Sequence, residues 1–264
     1  MKIGFIGGGN MAGAIIGGIL SSAYADASDI LVYDKNPEAL KKLNELYAIN
    51  PDFSISDVCL ADIIILSVKP NVIYSVIEEI KNKINKNTTI VSIAAGQSIE
   101  KITSAFSKDG LKLARVMPNT PALVGEGLSA VSFNQNVNDE DIDIVMNILK
   151  SFGKAEIVPE SLMDTVTGVS GSSPAYIFML IEAMADAAVL GGMPRNQAYT
   201  FAAQAVLGSA KMVLELPNHP GELKDMVCSP GGTTIEAVKI LENDGFRSSV
   251  MNAIDACIKK SKSL

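Results

Sequence analysis

The feature that most constrains the fold is a glycine-rich stretch near the start of the chain. Residues 2–16 read KIGFIGGGNMAGAII, so that a strand-like apolar run leads through the spacing G-x-G-x-x-A into a helical pattern. Gly7 allows a tight turn, Gly9 lets the backbone approach a pyrophosphate, and Ala12 permits close packing of helix on strand. The N–H groups at the helix start then attract phosphate. We predict a dinucleotide site here; the alternative is a glycine-rich turn without a ligand.

The rest of the chain changes character once. Apolar β-rich runs alternate with helical patterns as far as about residue 160, which indicates βαβ units and a parallel sheet. Beyond that point only helical patterns follow, at 161–192, 194–215, 219–227, 233–242 and 246–262. We therefore predict an α/β Rossmann-type dinucleotide-binding domain over residues 1–160. An all-α domain is predicted over 161–264. Strands are expected at 2–6, 29–33, 62–68, 88–93, 111–117, 127–133 and 154–158.

Composition and charge exclude several classes of function. The net charge is −7, Trp is absent and aromatic residues make up 5%, which argues against nucleic-acid and anionic membrane partners. Three widely spaced cysteines and a single histidine predict neither a disulfide framework nor a metal site, and they favour a reducing, cytoplasmic location. The apolar N-terminus is interpreted as the glycine motif and not as a signal peptide. Glu182 and Asp186 argue against a membrane span at 175–192.

The predicted helices at 161–192 and 194–215 contain few charged residues, so they lack the polar faces that solvent-exposed helices normally have. Between Lys154 and Lys211 the only basic residue is Arg195. The helix at 175–192 is dominated by Ala, Met, Leu and Gly, and a helix that is apolar around most of its circumference must be buried. A unit of this size cannot bury such helices alone. We therefore expect a second copy of the chain to cover them.

Asp34 is the residue from which the kind of dinucleotide is judged. It follows the strand at 29–33, where an acid binds the ribose 2′-hydroxyl of NAD and repels the 2′-phosphate of NADP. Lys35 and Asn36 could instead hold a phosphate if Asp34 turns away. Asp34 could also simply cap the helix that begins near Pro37. The residues therefore leave both NAD and NADP open.

Further cofactor contacts follow from topology, because ligands of open parallel sheets lie beyond the carboxyl ends of the strands. Asn119, in MPNTPALVGEG, is a candidate to hold the nicotinamide carboxamide or an edge of the substrate. Lys69 could equally be an ordinary solvated lysine. The complete set assigned to the cofactor is Ile6, Gly7, Gly8, Gly9, Asn10, Met11, Asp34, Lys35, Ser67, Val68, Lys69, Ala94 and Ala95.

A second polar motif, CSPGGTTIEA at 228–237, predicts a site for a small carboxylate. Gly231 and Gly232 leave N–H groups bare just before a helix, where anions bind, and Ser229 and Thr234 add hydroxyl donors. The alternative is a capping box, in which Thr233 and the glutamate three residues later satisfy the first turn. The substrate-binding set is Ser229, Gly231, Gly232, Thr233, Thr234 and Asn119.

The helical half contains no lysine before Lys211 that could serve as acid or base for a hydroxyl group. Oxidation of an alcohol needs an acid or base for the hydroxyl proton, but 155–210 contains no lysine and His219 is expected to cap the helix after it. A protonated imine already carries its proton, so placement alone can supply much of the rate.

In TGVSGSSPAY at 167–176, Pro174 is expected to kink a helix, and the motif serves either as a pocket wall or as a tight helix crossing.

Five motifs together resemble the pyrroline-5-carboxylate reductases nearly end to end. They are GFIGGGNMA, LSVKP, RVMPNTPALVGEG, TGVSGSSPAYIF and the long block HPGELKDMVCSPGGTTIEAVKILENDGFRSSVMNAIDA. The resemblance implies reduction of L-1-pyrroline-5-carboxylate to L-proline by NADPH or NADH, the last step of proline biosynthesis. It also implies a helical domain that interlocks with a second subunit, in a dimer or a ring of dimers.

The resemblance places the substrate carboxylate on the segment Ser229–Thr234 and makes the Thr234 hydroxyl the catalytic partner of the ring nitrogen. Two positions depart from the family. Pro217 and Asn218 stand where many members have an acid, with Glu215 nearby. Asp34 stands where members that favour NADPH often lack an acid.

Two rival functions remain as alternatives. A β-hydroxyacid dehydrogenase shares the two-domain plan but needs a catalytic lysine in the long helix, and 155–210 has none. A non-catalytic dinucleotide sensor would have no need for a second anion site. Retained cofactor binding without turnover would favour the sensor.

Overall fold

The chain forms two compact units in a computed structural model that describes residues 1–50 and 53–263. The first unit comprises Met1–Ser172 together with the chain end from Cys257, and the second comprises Ser173–Ala256. The change from strands to helices comes earlier, near residue 160. The segment between 160 and 172 is therefore helical but packs with the sheet-bearing unit.

The first unit is built on a seven-stranded sheet in the order β2-β1-β3-β4-β5-β6-β7. A strand lies in each of the seven predicted regions. β1 to β5 are mutually parallel, whereas β6 runs antiparallel to β5 and β7 parallel to β6. The predicted parallel sheet is confirmed for β1 to β5. The strand direction changes at one edge, because the link between β5 and β6 is too short for a crossover. The strands are β1 Ile3–Ile6, β2 Ile30–Tyr33, β3 Ile63–Leu66, β4 Thr89–Ser92, β5 Lys112–Met117, β6 Gly127–Phe133 and β7 Gly153–Ile157.

Helices cover both faces of this sheet, which explains why strands such as IIIL of β3 are apolar throughout. Alternate residues of one strand enter two separate cores: Ile63 and Ile65 belong to one cluster, and Ile64 and Leu66 to the other. α3 was not predicted, because four residues show no usable periodicity. The helices are α1 Asn10–Ser21, α2 Pro37–Tyr47, α3 Ile55–Val58, α4 Ile73–Ile80, α5 Ile99–Phe106 and α6 Asp139–Lys150.

The single helix predicted over 161–192 is divided in the structure. A 3-10 turn and α7, Met163–Val166, are followed by a π-helical segment, Thr167–Gly171, before α8 begins. The N–H of Ser172 donates to the carbonyl of Thr167 at 2.9 Å, five residues back. The prediction that Pro174 kinks a helix is wrong. Pro174 lies in the first turn of α8, where a backbone N–H would have no intrahelical partner, so its missing N–H costs no hydrogen bond.

Helices make up the second unit. They are α8 Ser173–Leu190, α9 Arg195–Glu215, α10 Pro220–Val227, α11 Thr233–Asn243 and α12 Phe246–Lys262, the last turns of α12 being counted with the first unit. α8 and α9 pack on each other through a small cluster of alanines. His219 caps α10 as predicted, its Nδ1 accepting from the N–H of Gly221 at 3.1 Å. By length and hydropathy alone, the stretch Glu160–Leu190 is apolar enough to cross a membrane.

Candidate active site

The glycine loop between β1 and α1 is fixed by its contacts with the neighbouring strands. Gly7 has φ +108°, and a Cβ there would lie 2.8 Å from the backbone of Ser67. The N–H of Gly7 donates to the carbonyl of Tyr33 at 2.8 Å, and Ser67 Oγ donates to the carbonyl of Gly7 at 2.7 Å. A Cβ at Gly9 would meet nothing within 4 Å. The loop is therefore closed on its sheet side and open at Gly9.

Asp34 is held at the end of β2 by two backbone donors. The N–H of Gly8 donates to Oδ2 at 2.6 Å, and the N–H of Asn36 donates to Oδ1 at 2.8 Å. The residue that caps α2 is Asn36, whose Oδ1 accepts from the N–H of Glu38 at 3.1 Å. The alternative that Asp34 caps this helix is therefore wrong. Its carboxylate instead faces the glycine loop.

A cavity of about 270 Å³ opens beside this carboxylate at the carboxyl ends of β1, β2 and β3. The sheet order reverses here, because the chain leaves β1 on one side for β2 and continues on the other side with β3. Such a switch point is where open α/β sheets bind ligands. The predicted cofactor residues that line it are Ile6, Gly7, Gly9, Asp34, Lys35, Ser67, Val68 and Lys69.

Several residues of this cavity were not predicted. Tyr33 is the last residue of β2, and Ile55 comes from the short α3. Val72, Val76 and Glu79 come from the segment entering α4 and from that helix. Val72 and Val76 are spaced by one helical turn directly after LSVKP, and this spacing could have predicted an apolar helix face beside the cavity. No signal in the sequence marked Ile55.

A second cavity, of about 320 Å³, shares Ser67, Val68 and Lys69 with the first. Its other predicted members are Met11, Ala94, Ala95 and Asn119. Its unpredicted members are Pro70, Ile93, Met117, Pro118, Thr120 and Gly171. The remaining predicted cofactor residues line neither cavity: Gly8 is buried, and Asn10 is exposed as the first residue of α1. The two cavities together extend from β2 across to β5.

Asn119 has both ends of its amide occupied within the first unit. Its Oδ1 accepts from the N–H of Leu128 at 2.9 Å, and its Nδ2 donates to Ser170 Oγ at 3.1 Å. The π-helical segment comes close beside it, since a Cβ on Gly171 would lie 2.4 Å from the Met117 side chain. Asn119 therefore joins the loop after β5 to β6 and to the π-helical segment. A contact with the substrate remains a prediction.

The segment 228–234 belongs to the second unit. Gly231 has φ +65°, in the left-handed region that favours glycine, and the N–H of Gly232 donates to the carbonyl of Ser229 at 3.0 Å. Gly232 is the N-cap of α11, and no side chain caps this helix. The capping-box alternative is therefore wrong, because Thr233 is already the first helical residue and Glu236 lies one position too late. The N–H groups of the first turn are left for another acceptor.

Together, the glycine loop at the switch point and the acid after β2 define the class of NAD(P)-dependent oxidoreductases. The family described as NADP oxidoreductase coenzyme F420-dependent matches residues 2–96, and the pyrroline-5-carboxylate reductase dimerisation family matches 160–264. The second match assigns self-association to the helical half. Among residues 1–50 and 53–263, no group of three or more His, Cys, Asp or Glu side chains is placed to hold a metal ion.

Full-length relatives narrow the class to one family. The chain is 53% identical to the pyrroline-5-carboxylate reductase of Escherichia coli K12, covering all of this chain and 98% of that one. It is 42% identical to the Arabidopsis thaliana reductase, over all of this chain and 95% of the relative. A Plasmodium falciparum pyrroline carboxylate reductase, solved with NADP bound, has a TM-score of 0.91 at 33% identity, over 100% and 97% of the two chains. The chain belongs to the pyrroline-5-carboxylate reductase family.

Proposed function

We propose that this protein reduces L-1-pyrroline-5-carboxylate to L-proline with NADPH or NADH, as the final step of proline biosynthesis. The observation that carries the proposal is the start of α11, where no side chain caps the helix that follows the CSPGG segment. A capped helix would need no ligand there. This start can bind a small carboxylate through its N–H groups. The relatives named above act on a substrate that is a small cyclic carboxylate.

The residues of the first unit fit a dinucleotide. Gly9 has open space where a Cβ would otherwise meet the pyrophosphate, and it caps α1, whose first N–H groups can bind phosphate. Ser67, Val68 and Lys69 run along both cavities and would border the cofactor along its length. Ala94 and Ala95 would border the nicotinamide half. When bound, the nicotinamide supplies the hydride.

The second unit would hold the substrate. The N–H of Gly231, the N–H groups of the first turn of α11 and the hydroxyls of Ser229 and Thr233 would bind the carboxylate. The N–H of Gly232, predicted to be bare, already donates to the carbonyl of Ser229, so Gly232 would contribute as the N-cap that leaves this helix start open. The Thr234 hydroxyl would contact the ring nitrogen. The protonated imine carries its own proton, so hydride addition to the ring carbon turns the C=N bond into a secondary amine without a general base. Thr234 then acts by holding the nitrogen in position, an effect of orientation.

We further propose that the working form is a dimer or a ring of dimers, located in the cytoplasm. Neither nucleic acid nor a membrane is part of the proposed function. Support comes from the match of the helical half to a dimerisation family and from the low charge of α8.

The proposed function is tested by following oxidation of NADPH and of NADH, in parallel, with pyrroline-5-carboxylate as acceptor. Turnover with either cofactor and formation of one proline per dinucleotide oxidised are expected. A folded protein that binds dinucleotide but turns over neither would contradict the proposal and favour a dinucleotide sensor.

The role of Thr234 is tested by Thr234→Val, which removes the hydroxyl and keeps the shape. We expect kcat/KM for the imine to fall about tenfold or more, since a lost hydrogen bond to a charged group costs about 1.5–3 kcal/mol. Dinucleotide binding should not change. Thr200→Val is the control, because the Thr200 hydroxyl donates to the carbonyl of Asn196 at 3.2 Å within α9. Full activity of Thr234→Val would remove this residue from the mechanism.

A further inference from the structure

We propose that Asp34 makes this chain favour NAD(H) over NADP(H), because its fixed carboxylate takes the place that a 2′-phosphate would need. The inference rests on the proposed dinucleotide-dependent function and names which dinucleotide it uses. It separates this chain from the relative that was solved with NADP bound. It depends on the position of Asp34, on what holds it there, and on the charges around the cavity.

The carboxylate of Asp34 accepts hydrogen bonds from the backbone and keeps acceptor capacity on the side that faces the cavity. Each oxygen already accepts one backbone N–H, from Gly8 at 2.6 Å and from Asn36 at 2.8 Å. A carboxylate has about four acceptor sites and no donor when ionised, so acceptor capacity remains towards the cavity. A ribose hydroxyl can donate to it. A phosphate is itself an ionised acceptor, so it can only be repelled there.

Rotation of Asp34 out of the way is opposed by the same two hydrogen bonds. Turning the side chain towards solvent would leave the N–H of Gly8, which is buried, without its acceptor. The glycine loop that would bind the pyrophosphate would at the same time lose the hydrogen bond that ties Gly8 to Asp34. Accommodation of a 2′-phosphate by a movement of Asp34 is therefore costly.

The neighbouring residues do not form a phosphate site that would compensate. The side-chain oxygen of Asn36 is committed to capping α2 through the N–H of Glu38. Lys35 is the single cation among the three residues that follow β2. The cavity carries Lys35 and Lys69, but also Asp34 and Glu79, so its charged side chains balance. A site that selects a phosphate would carry an excess of positive charge.

The first experiment measures binding to the unmodified full-length protein by calorimetry. AMP and adenosine 2′,5′-bisphosphate differ only in the 2′-phosphate, and NAD⁺ and NADP⁺ form the corresponding complete pair. We expect the phosphorylated member of each pair to bind at least about tenfold more weakly, a difference of about 1.4 kcal/mol. NADP⁺ binding as tightly as NAD⁺, or more tightly, would overturn the inference and leave the proposed function intact. Failure to bind either dinucleotide would overturn the proposed function itself.

The second experiment assigns the preference to Asp34. Asp34→Ser removes the charge, and Asp34→Asn removes it while keeping the side chain's size, so that one variant guards against local unfolding in the other. In either variant the NAD⁺-to-NADP⁺ affinity ratio should shift towards NADP⁺ by about tenfold or more. Asp26→Ser is the control, since Asp26 is exposed outside the cavity and its loss changes the net charge equally. An unchanged ratio in both Asp34 variants would show that Asp34 does not select the cofactor.

Discussion

The two units of this chain bury their apolar residues very differently. The first unit encloses two cores, one on each face of its sheet, with fully buried side chains such as Phe5 and Phe106. The core of the second unit consists of three small residues, Ala185, Ala198 and Ala202. Its large apolar side chains lie mostly at the surface of the single chain; Phe178 is 63% exposed and Leu190 is 90% exposed.

This difference shows that sheet and helices rely on different sources of stability. A sheet covered on both faces is completed within one chain. An apolar surface as extensive as that of α8 and α9 is unusual on a monomer and marks an interaction site. Because this region matches a dimerisation family, we expect a second copy of the chain to cover it. The free energy of folding of the second unit is then coupled to association.

The largest expected effect comes from placing a charge on the exposed apolar surface of the second unit. Phe178→Asp removes the free energy gained by burying the phenyl ring, about 2 kcal/mol or more per subunit. A symmetric dimer loses this contribution twice. We expect the dimer dissociation constant to rise by about a thousandfold, with loss of activity, as measured by light scattering after size-exclusion chromatography. Leu60→Asp, at a position of the first unit that is 64% exposed, is the matched control and should remain associated. Equal behaviour of the two variants would remove the contrast between the units.

The next prediction compares two glycines of the loop between β1 and α1: Gly7, which we expect to matter for stability, and Gly9, which we expect to matter for dinucleotide binding. Gly7→Ala places a Cβ against Ser67 at positive φ, so it should lower the unfolding free energy by about 2–3 kcal/mol. Gly9→Ala meets no protein atom within 4 Å and should cost about 1 kcal/mol or less. It should nevertheless weaken dinucleotide binding by about tenfold or more. Urea unfolding and calorimetry check both values, and normal cofactor binding by Gly9→Ala would contradict the proposed pyrophosphate site.

Much of the first unit could be predicted because its pattern is local. Each strand is a short apolar run bounded by turn residues, and the glycine spacing fixes the ligand end of the sheet. The reversal of β6 was missed, because strand direction depends on connection length and not on residue type. The role of Asn36 as the cap of α2 was missed for a similar reason, since Asp34 and Asn36 are both good caps in sequence and only geometry distinguishes them.

The candidate site was less predictable wherever it depends on residues that are distant in the chain. Ile55 lines the cavity beside Asp34 from a four-residue helix that has no periodic signature. The occupied amide of Asn119 could not be foreseen, because Leu128 and Ser170 approach it only in the folded unit. The motif around 228–237 suggested a capping box by spacing alone. The structure starts the helix one residue earlier than that spacing requires, with Gly232 as its N-cap.

Asn119 offers a sharper test of the first unit, since its amide connects three segments. Asn119→Leu keeps the approximate size but leaves the N–H of Leu128 without its acceptor, so it should lower the unfolding free energy by about 1–2 kcal/mol. Asn136→Leu is the control, because Asn136 is exposed and donates to the carbonyl of Leu111 at 3.0 Å. It should cost less. A rise in KM for the imine with unchanged stability in urea would instead make Asn119 a substrate contact.

The smallest expected effect concerns the capping box that holds α3 and thereby Ile55. Ser54 Oγ donates to the Asp57 carboxylate at 2.6 Å and the N–H of Ser54 at 2.8 Å, and these bonds hold the pKa of Asp57 below its ordinary value. A carboxyl whose pKa is lowered on folding stabilises the folded state above its unfolded pKa, near 4, and this contribution is lost as the pH falls through the lowered value. Asp57→Asn should therefore be less stable than the unmodified protein at neutral pH and equal to it in strong acid, as measured by urea unfolding across this range. A stability difference for Asp57→Asn that persists unchanged into acid would mean that the charge of Asp57 is not what holds α3.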